Sequence, residues 1–88
     1  MISKNITINI PSQRDARPAA HLVQVACQFD STVYLETEDK RINAKSIMGM
    51  MSLCILPGKE LTVITNGSDE EEAMNRVEEY LTSSGKQN

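Results

Sequence analysis

Residues 6–19 of the 88-residue chain read ITINIPSQRDARPA, and this stretch contains one strand and the start of one helix. Its first five residues alternate apolar and polar, which predicts a half-buried strand with three isoleucines on one face. Asp15 then stands at the N-cap position of a helix predicted over about residues 16–28. Pro18 lies in the first turn, where its missing N–H costs nothing.

The rest of the chain predicts five further elements. Apolar residues recur at helical spacing in the first helix (Ala19, Leu22, Val23, Ala26), so that stripe faces a sheet. The five elements after this first helix are a strand over 32–36, a strand over 41–43, a short helix from an N-cap at Ser46 to about residue 53, a strand over 60–65, and a last helix. That last helix starts at a capping box, Ser68 to Glu71, and stops at Gly85.

The predicted order is therefore β-α-β-β-α-β-α. This order favours an α+β fold in which one four-stranded antiparallel sheet is covered on one face by three helices. A chain of 88 residues cannot divide its apolar residues between two cores, so residues 1–88 are predicted to form one domain with a frayed tail from about residue 85.

Composition excludes several classes of protein. A formal charge of −3 argues against a direct nucleic-acid binder, which needs a basic face. No apolar run approaches the roughly 20 residues that cross a bilayer, and the first residues lack the apolar core of a signal peptide, so a cytoplasmic protein without membrane contact is expected. Cys27 and Cys54 lack the spacing of a metal site and are predicted to be reduced packing residues. No metal or other cofactor is predicted.

Two motifs, together with the order of elements, resemble one family over essentially the whole chain. Residues 16–19 read ARPA, and residues 45–53 read KSIMGMMSL. Both are similar to segments of HPr, the histidine-containing phosphocarrier protein of the bacterial sugar phosphotransferase system, and the second motif is much the more specific. The resemblance implies the HPr-like open-faced sandwich.

Asp15 is the main departure from the family pattern. In HPr the histidine before Ala-Arg-Pro-Ala accepts a phosphoryl group from enzyme I and passes it on, which requires a neutral ring nitrogen. An aspartate keeps the helix cap but lacks that nitrogen. Three interpretations remain open for Asp15: a simple N-cap, a mimic of phosphohistidine, and an acyl phosphate acceptor. His21, the one histidine, lies about 9 Å further along the helix on another face and is predicted to be a surface residue.

Ser46 is the candidate modification site. The resemblance implies phosphorylation of this serine by HPr kinase/phosphorylase, after which the protein acts as corepressor for a catabolite control protein A-type repressor. Physical chemistry is compatible with that role, because a phosphate on an N-cap serine meets free amides and the neighbouring Lys45. A structural role as a cap alone is the alternative.

The helix after Ser46 is apolar almost all round and too short to bury every side. By resemblance Ile47, Met48 and Met51 form a docking patch for partner proteins, bordered by Asp15 and Arg17, whereas Met50 is predicted to lie in the core.

These observations lead to one main hypothesis and two alternatives. The main hypothesis is an HPr-like regulatory protein of carbon catabolite control that is phosphorylated on Ser46, is not an enzyme, and does not transfer phosphate through histidine. It predicts a monomer or weak dimer, with enzyme I as a further candidate partner. The first alternative is a phosphocarrier component that uses Asp15 or has lost its activity. The second is an adaptor that binds partners through Met48 and Met51 without modification.

Overall fold

The computed structural model of the protein describes residues 1–9, 18–38, 40–51 and 58–82. The elements are β1 (Ile2–Thr7), α1 (Pro18–Ala26), β2 (Thr32–Glu36), β3 (Arg41–Asn43), α2 (Ile47–Met51), β4 (Glu60–Asn66) and α3 (Glu70–Thr82). The predicted order of strands and helices is confirmed. Within the described ranges, no helix has the length and apolar character needed to cross a membrane.

The four strands form one antiparallel sheet in the order β1-β4-β2-β3. β4 lies inside the sheet, where Leu61 pairs with Ile6 of β1 and Val63 pairs with Leu35 of β2. Leu35 also pairs with Ile42 of β3. Because side chains alternate along a strand, this register places Ile6, Leu35, Ile42, Leu61 and Val63 on the same face, whereas Ile64 of β4 lies on the other.

That face is covered by the three helices, which confirms the predicted open-faced architecture. The buried helix residues are Leu22, Val25 and Ala26 of α1, Met50 of α2, and Ala73, Met74, Val77 and Leu81 of α3. The opposite face of the sheet carries Ile64 together with polar and aromatic side chains, and there the Arg41 guanidinium lies 5.1 Å from the centre of the Tyr34 ring. A cation over an aromatic ring contributes modestly at such an exposed site.

The bounds of β1 differ from the predicted strand over residues 6–10. The strand begins at Ile2, because β4 pairs with it from Ile2 to Thr7, and its polar first half carries no apolar alternation that would have indicated it. Ile8 follows the strand and keeps its backbone bonded: it donates to the Lys59 carbonyl at 2.8 Å and accepts from the Gly58 amide at 2.7 Å. Its side chain is buried as predicted.

α1 is also shorter than predicted at its carboxyl end. The Gln28 and Phe29 amides bond to carbonyls three residues back, both at 3.2 Å, so the last turn tightens and the helix ends at Ala26. Cys27 consequently lies in the turn with a free thiol, as predicted, but the thiol is exposed, so the prediction that Cys27 is a packing residue is wrong. Cys54 and the predicted start of this helix lie outside the described residues.

α3 begins at Glu70, and the hydrogen bonds at its start involve Asp69 and Glu70 rather than the predicted box of Ser68 and Glu71. The Asp69 carbonyl accepts from the Ala73 amide at 2.9 Å, which puts Asp69 at the N-cap position. The Glu70 carboxylate accepts from the Gly67 amide at 3.0 Å. This bond is the main cause of a lowered pKa for Glu70.

The Asp69 carboxylate joins α3 to the turn between α1 and β2. It accepts from the Asp30 amide at 2.9 Å, from the Ser31 amide at 2.9 Å and from the Ser31 hydroxyl. The Ser31 hydroxyl, followed by the Asp30 amide, lowers the pKa of Asp69. Gly67 allows this contact, because a Cβ on it would lie 2.6 Å from the Cα of Ser31. We call these four residues the Asp69 clamp.

Alanine at Gly67 is expected to be far more destabilising than alanine at Gly58. Both glycines have positive φ angles, 153° and 89°, but a Cβ on Gly58 meets no atom of the described residues within 4 Å. Gly58→Ala therefore carries only backbone strain of about 1 kcal/mol, and Gly67→Ala adds a collision with Ser31 that raises the loss above about 3 kcal/mol. Urea denaturation of both variants measures the difference. Equal losses would show that Ser31 does not crowd Gly67.

The Asp69 clamp also predicts a pH dependence of stability. A carboxylate whose pKa is depressed on folding stabilises the protein fully above its ordinary value of 3.8, and this contribution disappears as the pH falls through the lower folded pKa. Thermal melts should therefore show Asp69→Asn well below the wild type at neutral pH, with the two curves converging in acid. A melting difference that stays constant down to about pH 2 contradicts this.

Candidate functional site

Ser46 lies at the junction of β3 and α2, and each of its polar groups is bonded. Its hydroxyl oxygen accepts from the Gly49 amide at 3.2 Å, and its carbonyl accepts from the Met50 amide at 2.9 Å. Its own amide donates to the Asn43 carbonyl at 3.0 Å. The predicted N-cap role is therefore confirmed. The Ser46 side chain is half-buried and lies at the N-terminus of α2.

The sheet fixes the position of this junction. Ile42 and Ala44 are both buried, and the Ala44 amide donates to the Val33 carbonyl at 2.8 Å after β3 has ended. Asn43 lies between them, and its side-chain oxygen accepts from the Lys45 amide at 2.9 Å. The turn between β3 and α2 is therefore fixed by two hydrogen bonds, one from the Ala44 amide to Val33 and one from the Lys45 amide to the Asn43 side chain.

Lys45 is engaged with the fold as well. Its ammonium donates to the Phe29 carbonyl at 2.7 Å, across 16 positions of sequence. This bond ties the Ser46 segment to the turn that follows α1, the same turn that the Asp69 clamp holds from the other side. The sequence indicated Lys45 as a phosphate ligand but gave no sign of its contact with Phe29.

α2 divides its apolar residues between the core and the surface. Met50 is fully buried, as predicted. Ile47 and Met48 remain 47% and 83% exposed, and we call these two residues the Ile47–Met48 patch. Met51 is the last residue of α2. The structure thus separates one anchoring methionine from a neighbour that points into solvent.

The remaining candidate residues of the sequence are Asp15, Arg17 and His21. Asp15 and Arg17 lie outside the described residues, although α1, which begins at Pro18, packs against α2. His21 is exposed, and its ring lies 4.5 Å from that of Tyr80 at an angle of 37°, so it joins α1 to α3. This contact shows a packing role that the sequence did not indicate.

Asn43 is a further residue of the site, and it was not predicted from the sequence. A signal was present, because asparagine at the end of a strand commonly accepts from the amide two residues later. Here that amide belongs to Lys45. The contact of Phe29 with Lys45 had no such local signal.

Comparison with known proteins shows the family. A family model described as the PTS HPr component phosphorylation site matches residues 2–83. The chain belongs to the HPr family. The resemblance inferred from residues 16–19 and 45–53 is therefore confirmed, and members of this family are phosphocarriers rather than enzymes.

Individual HPr relatives agree with this assignment. The HPr-like protein Crh of Bacillus subtilis is 43% identical over 81 residues, which cover 92% of this chain and 95% of Crh. The crystal structure of the phosphocarrier protein HPr from Bacillus anthracis matches with a TM-score of 0.82 at 41% identity, over 91% of this chain and 95% of that one. A crystal structure of Bacillus subtilis Crh, described as a swapped, intertwined dimer, matches with a TM-score of 0.73 at 43% identity, over 93% and 90% of the two chains.

Met48 and Met50 of α2 provide a test of how this helix is packed. Met50→Ala should destabilise the protein by about 2 to 5 kcal/mol, because it empties a fully buried position. Met48→Ala should change stability by less than about 0.5 kcal/mol, because its side chain is mostly in water already. Chemical denaturation checks both, and a large loss for Met48→Ala would contradict the exposed position.

Proposed function

We propose that this protein is a regulatory member of the HPr family in bacterial carbon catabolite control, phosphorylated on Ser46 and acting through protein–protein contacts in the cytoplasm. The observation that carries the proposal is the residue at position 15. It is an aspartate where the family has its carrier histidine, whereas Ser46 and the motif around it are kept. A carboxylate lacks the neutral ring nitrogen that acts as the nucleophile in a phosphohistidine carrier, so it is a poor substitute for that histidine.

The proposed modification is a simple phosphoryl transfer. The Ser46 oxygen attacks the γ-phosphorus of ATP, the bond from that phosphorus to the β,γ-bridging oxygen breaks, and ADP leaves. The hydroxyl proton passes to a base on HPr kinase/phosphorylase. Phosphoserine then carries between one and a half and two negative charges at neutral pH.

The surroundings of Ser46 favour a phosphate that acts as a charged contact at the protein surface rather than one that changes the conformation of the protein. The Ile47–Met48 patch follows directly in sequence and is too small by itself for a stable interface, which normally buries roughly 800 Å² on each partner. A phosphate beside this patch adds an anion that arginine side chains of a partner can bind through bidentate hydrogen bonds. Binding of a catabolite control protein A-type repressor is therefore expected to depend on the phosphate.

We infer that Lys45, the residue before Ser46, contributes a hydrogen-bond donor to the phosphate. An ammonium has three donors, and one of them is used by the Phe29 carbonyl at 2.7 Å. The others can turn toward a phosphate on the adjacent residue. Met51, Arg17 and Asp15 complete the proposed contact surface by resemblance, and a monomer or weak dimer is the proposed assembly.

A second candidate function is phosphotransfer through Asp15, with enzyme I as donor. The match to the family's phosphorylation-site model and to phosphocarrier HPr of Bacillus anthracis favours it. An aspartyl phosphate normally needs a divalent ion to offset the charge of the incoming group. We therefore rank this function second.

Incubation with HPr kinase/phosphorylase and ATP tests the main proposal. One phosphate should appear on the wild type and none on Ser46→Ala, as read by intact-mass and peptide spectrometry. Repressor binding, measured by calorimetry, should be at least about tenfold tighter for the phosphorylated protein, which corresponds to one good charge-assisted contact. Met48→Ala should weaken that binding while melting like the wild type.

Three results would contradict the proposal. The first is a Ser46 that stays unmodified. The second is repressor binding that is the same for Ser46→Ala and the phosphorylated protein, which would favour an unmodified adaptor. The third is a hydroxylamine-labile phosphate on Asp15 after incubation with enzyme I and phosphoenolpyruvate.

A further inference from the structure

Asn43 binds the two residues that lead into α2. Its side-chain oxygen accepts from the Lys45 amide at 2.9 Å, and its carbonyl accepts from the Ser46 amide at 3.0 Å. One residue thus fixes two consecutive amides, an arrangement that closes a turn of the asparagine type. Ser46 enters the helix in the orientation that this turn imposes.

The position of Asn43 is itself well determined. It is the last residue of β3 and pairs with Tyr34 of β2. The residues on either side, Ile42 and Ala44, are buried in the core, and the Ala44 amide bonds to the Val33 carbonyl. The turn is therefore attached to β2 and to the core on both sides of Asn43, whereas the Asn43 side chain itself is exposed.

α2 has little stability of its own to replace this support. It spans five residues, and isolated helices shorter than roughly twelve residues are marginal in water. Its hydrogen bonds to Ser46 come from the Gly49 and Met50 amides. If the turn before Ser46 opens, the serine can rotate and the Gly49 bond to its hydroxyl oxygen can break.

We propose that Asn43 is a positioning residue for phosphorylation of Ser46, acting through the Asn43 side-chain oxygen and the Lys45 amide. This inference rests on the proposed function of Ser46. A phosphoryl acceptor must be held close to the attack geometry, and a small displacement of the acceptor oxygen lowers the rate. Loss of the Asn43 side-chain oxygen should therefore slow the reaction without removing any group that touches ATP.

Three variants separate positioning from direct recognition by the kinase. Asn43→Leu keeps the size and removes the acceptor, Asn43→Asp keeps the acceptor and removes the amide donor, and Asn43→Ser offers a neutral acceptor. We expect kcat/KM for Ser46 phosphorylation to fall about fivefold in the leucine variant, the effect of one net hydrogen bond. The aspartate or the serine variant should recover most of that loss.

Hydrogen exchange supplies a measurement that does not depend on the kinase. In Asn43→Leu the Lys45, Ser46 and Gly49 amides should exchange at least about tenfold faster, because their acceptors are lost or displaced. The Ala44 amide, bonded to Val33, should keep its protection. Asn43→Asp should resemble the wild type at all of these amides.

A mildly destabilised variant elsewhere in the chain controls for a general loss of folding. Gly58→Ala lies far from the turn in sequence and carries backbone strain alone, so it should be phosphorylated at the wild-type rate. If Asn43→Leu is as good a substrate as the wild type, the positioning inference is overturned and the proposed function stands. If both acceptor-bearing variants are as slow as the leucine variant, the kinase reads the Asn43 amide directly and the inference is again overturned. If the wild type gains no phosphate, both fail.

Discussion

One face of a four-stranded sheet has to be covered by helices that together bury the apolar side chains of β4 and its neighbours. α1 and α3 are long enough to cover most of that face, and among the α2 residues 47–50, whose side chains the structure describes, Met50 alone is fully buried. A five-residue helix anchored at one position must expose its other side. The Ile47–Met48 patch follows from this division of the covering task.

The turn between α1 and β2 connects the three helices at one point. Lys45 reaches it from the Ser46 segment through the Phe29 carbonyl, and Asp69 reaches it from α3 through Asp30 and Ser31. The carboxylate and the ammonium both bond to backbone groups, so they fix the path of the chain rather than pair with each other. The Ser46 segment is therefore held by the sheet through Asn43 and by this turn through Lys45.

Local sequence patterns predicted most of the elements of this structure. The predictions were wrong where contacts between residues far apart in sequence set the bounds of an element. The bounds of β2 and β3, the cap at Ser46 and the burial of Met50 were predictable, because alternation and capping chemistry are local signals. β1 was misplaced, since an edge strand with polar residues is defined by its partner β4. The start of α3 was misplaced by one residue because the N-cap, Asp69, is held by Asp30 and Ser31, which lie far from it in sequence. Of the candidate site, Ser46 and its motif were found from sequence, whereas Asn43 and the Phe29 contact were not.

A ³¹P NMR spectrum of the protein, recorded after incubation with HPr kinase/phosphorylase and ATP and, separately, with enzyme I and phosphoenolpyruvate, tests the central claim most directly. The predicted result is a single phosphomonoester signal from the first incubation, titrating near pH 6 as phosphoserine does, and no protein-bound signal from the second. An acyl phosphate signal from the second incubation, with none from the first, would contradict the regulatory role of Ser46.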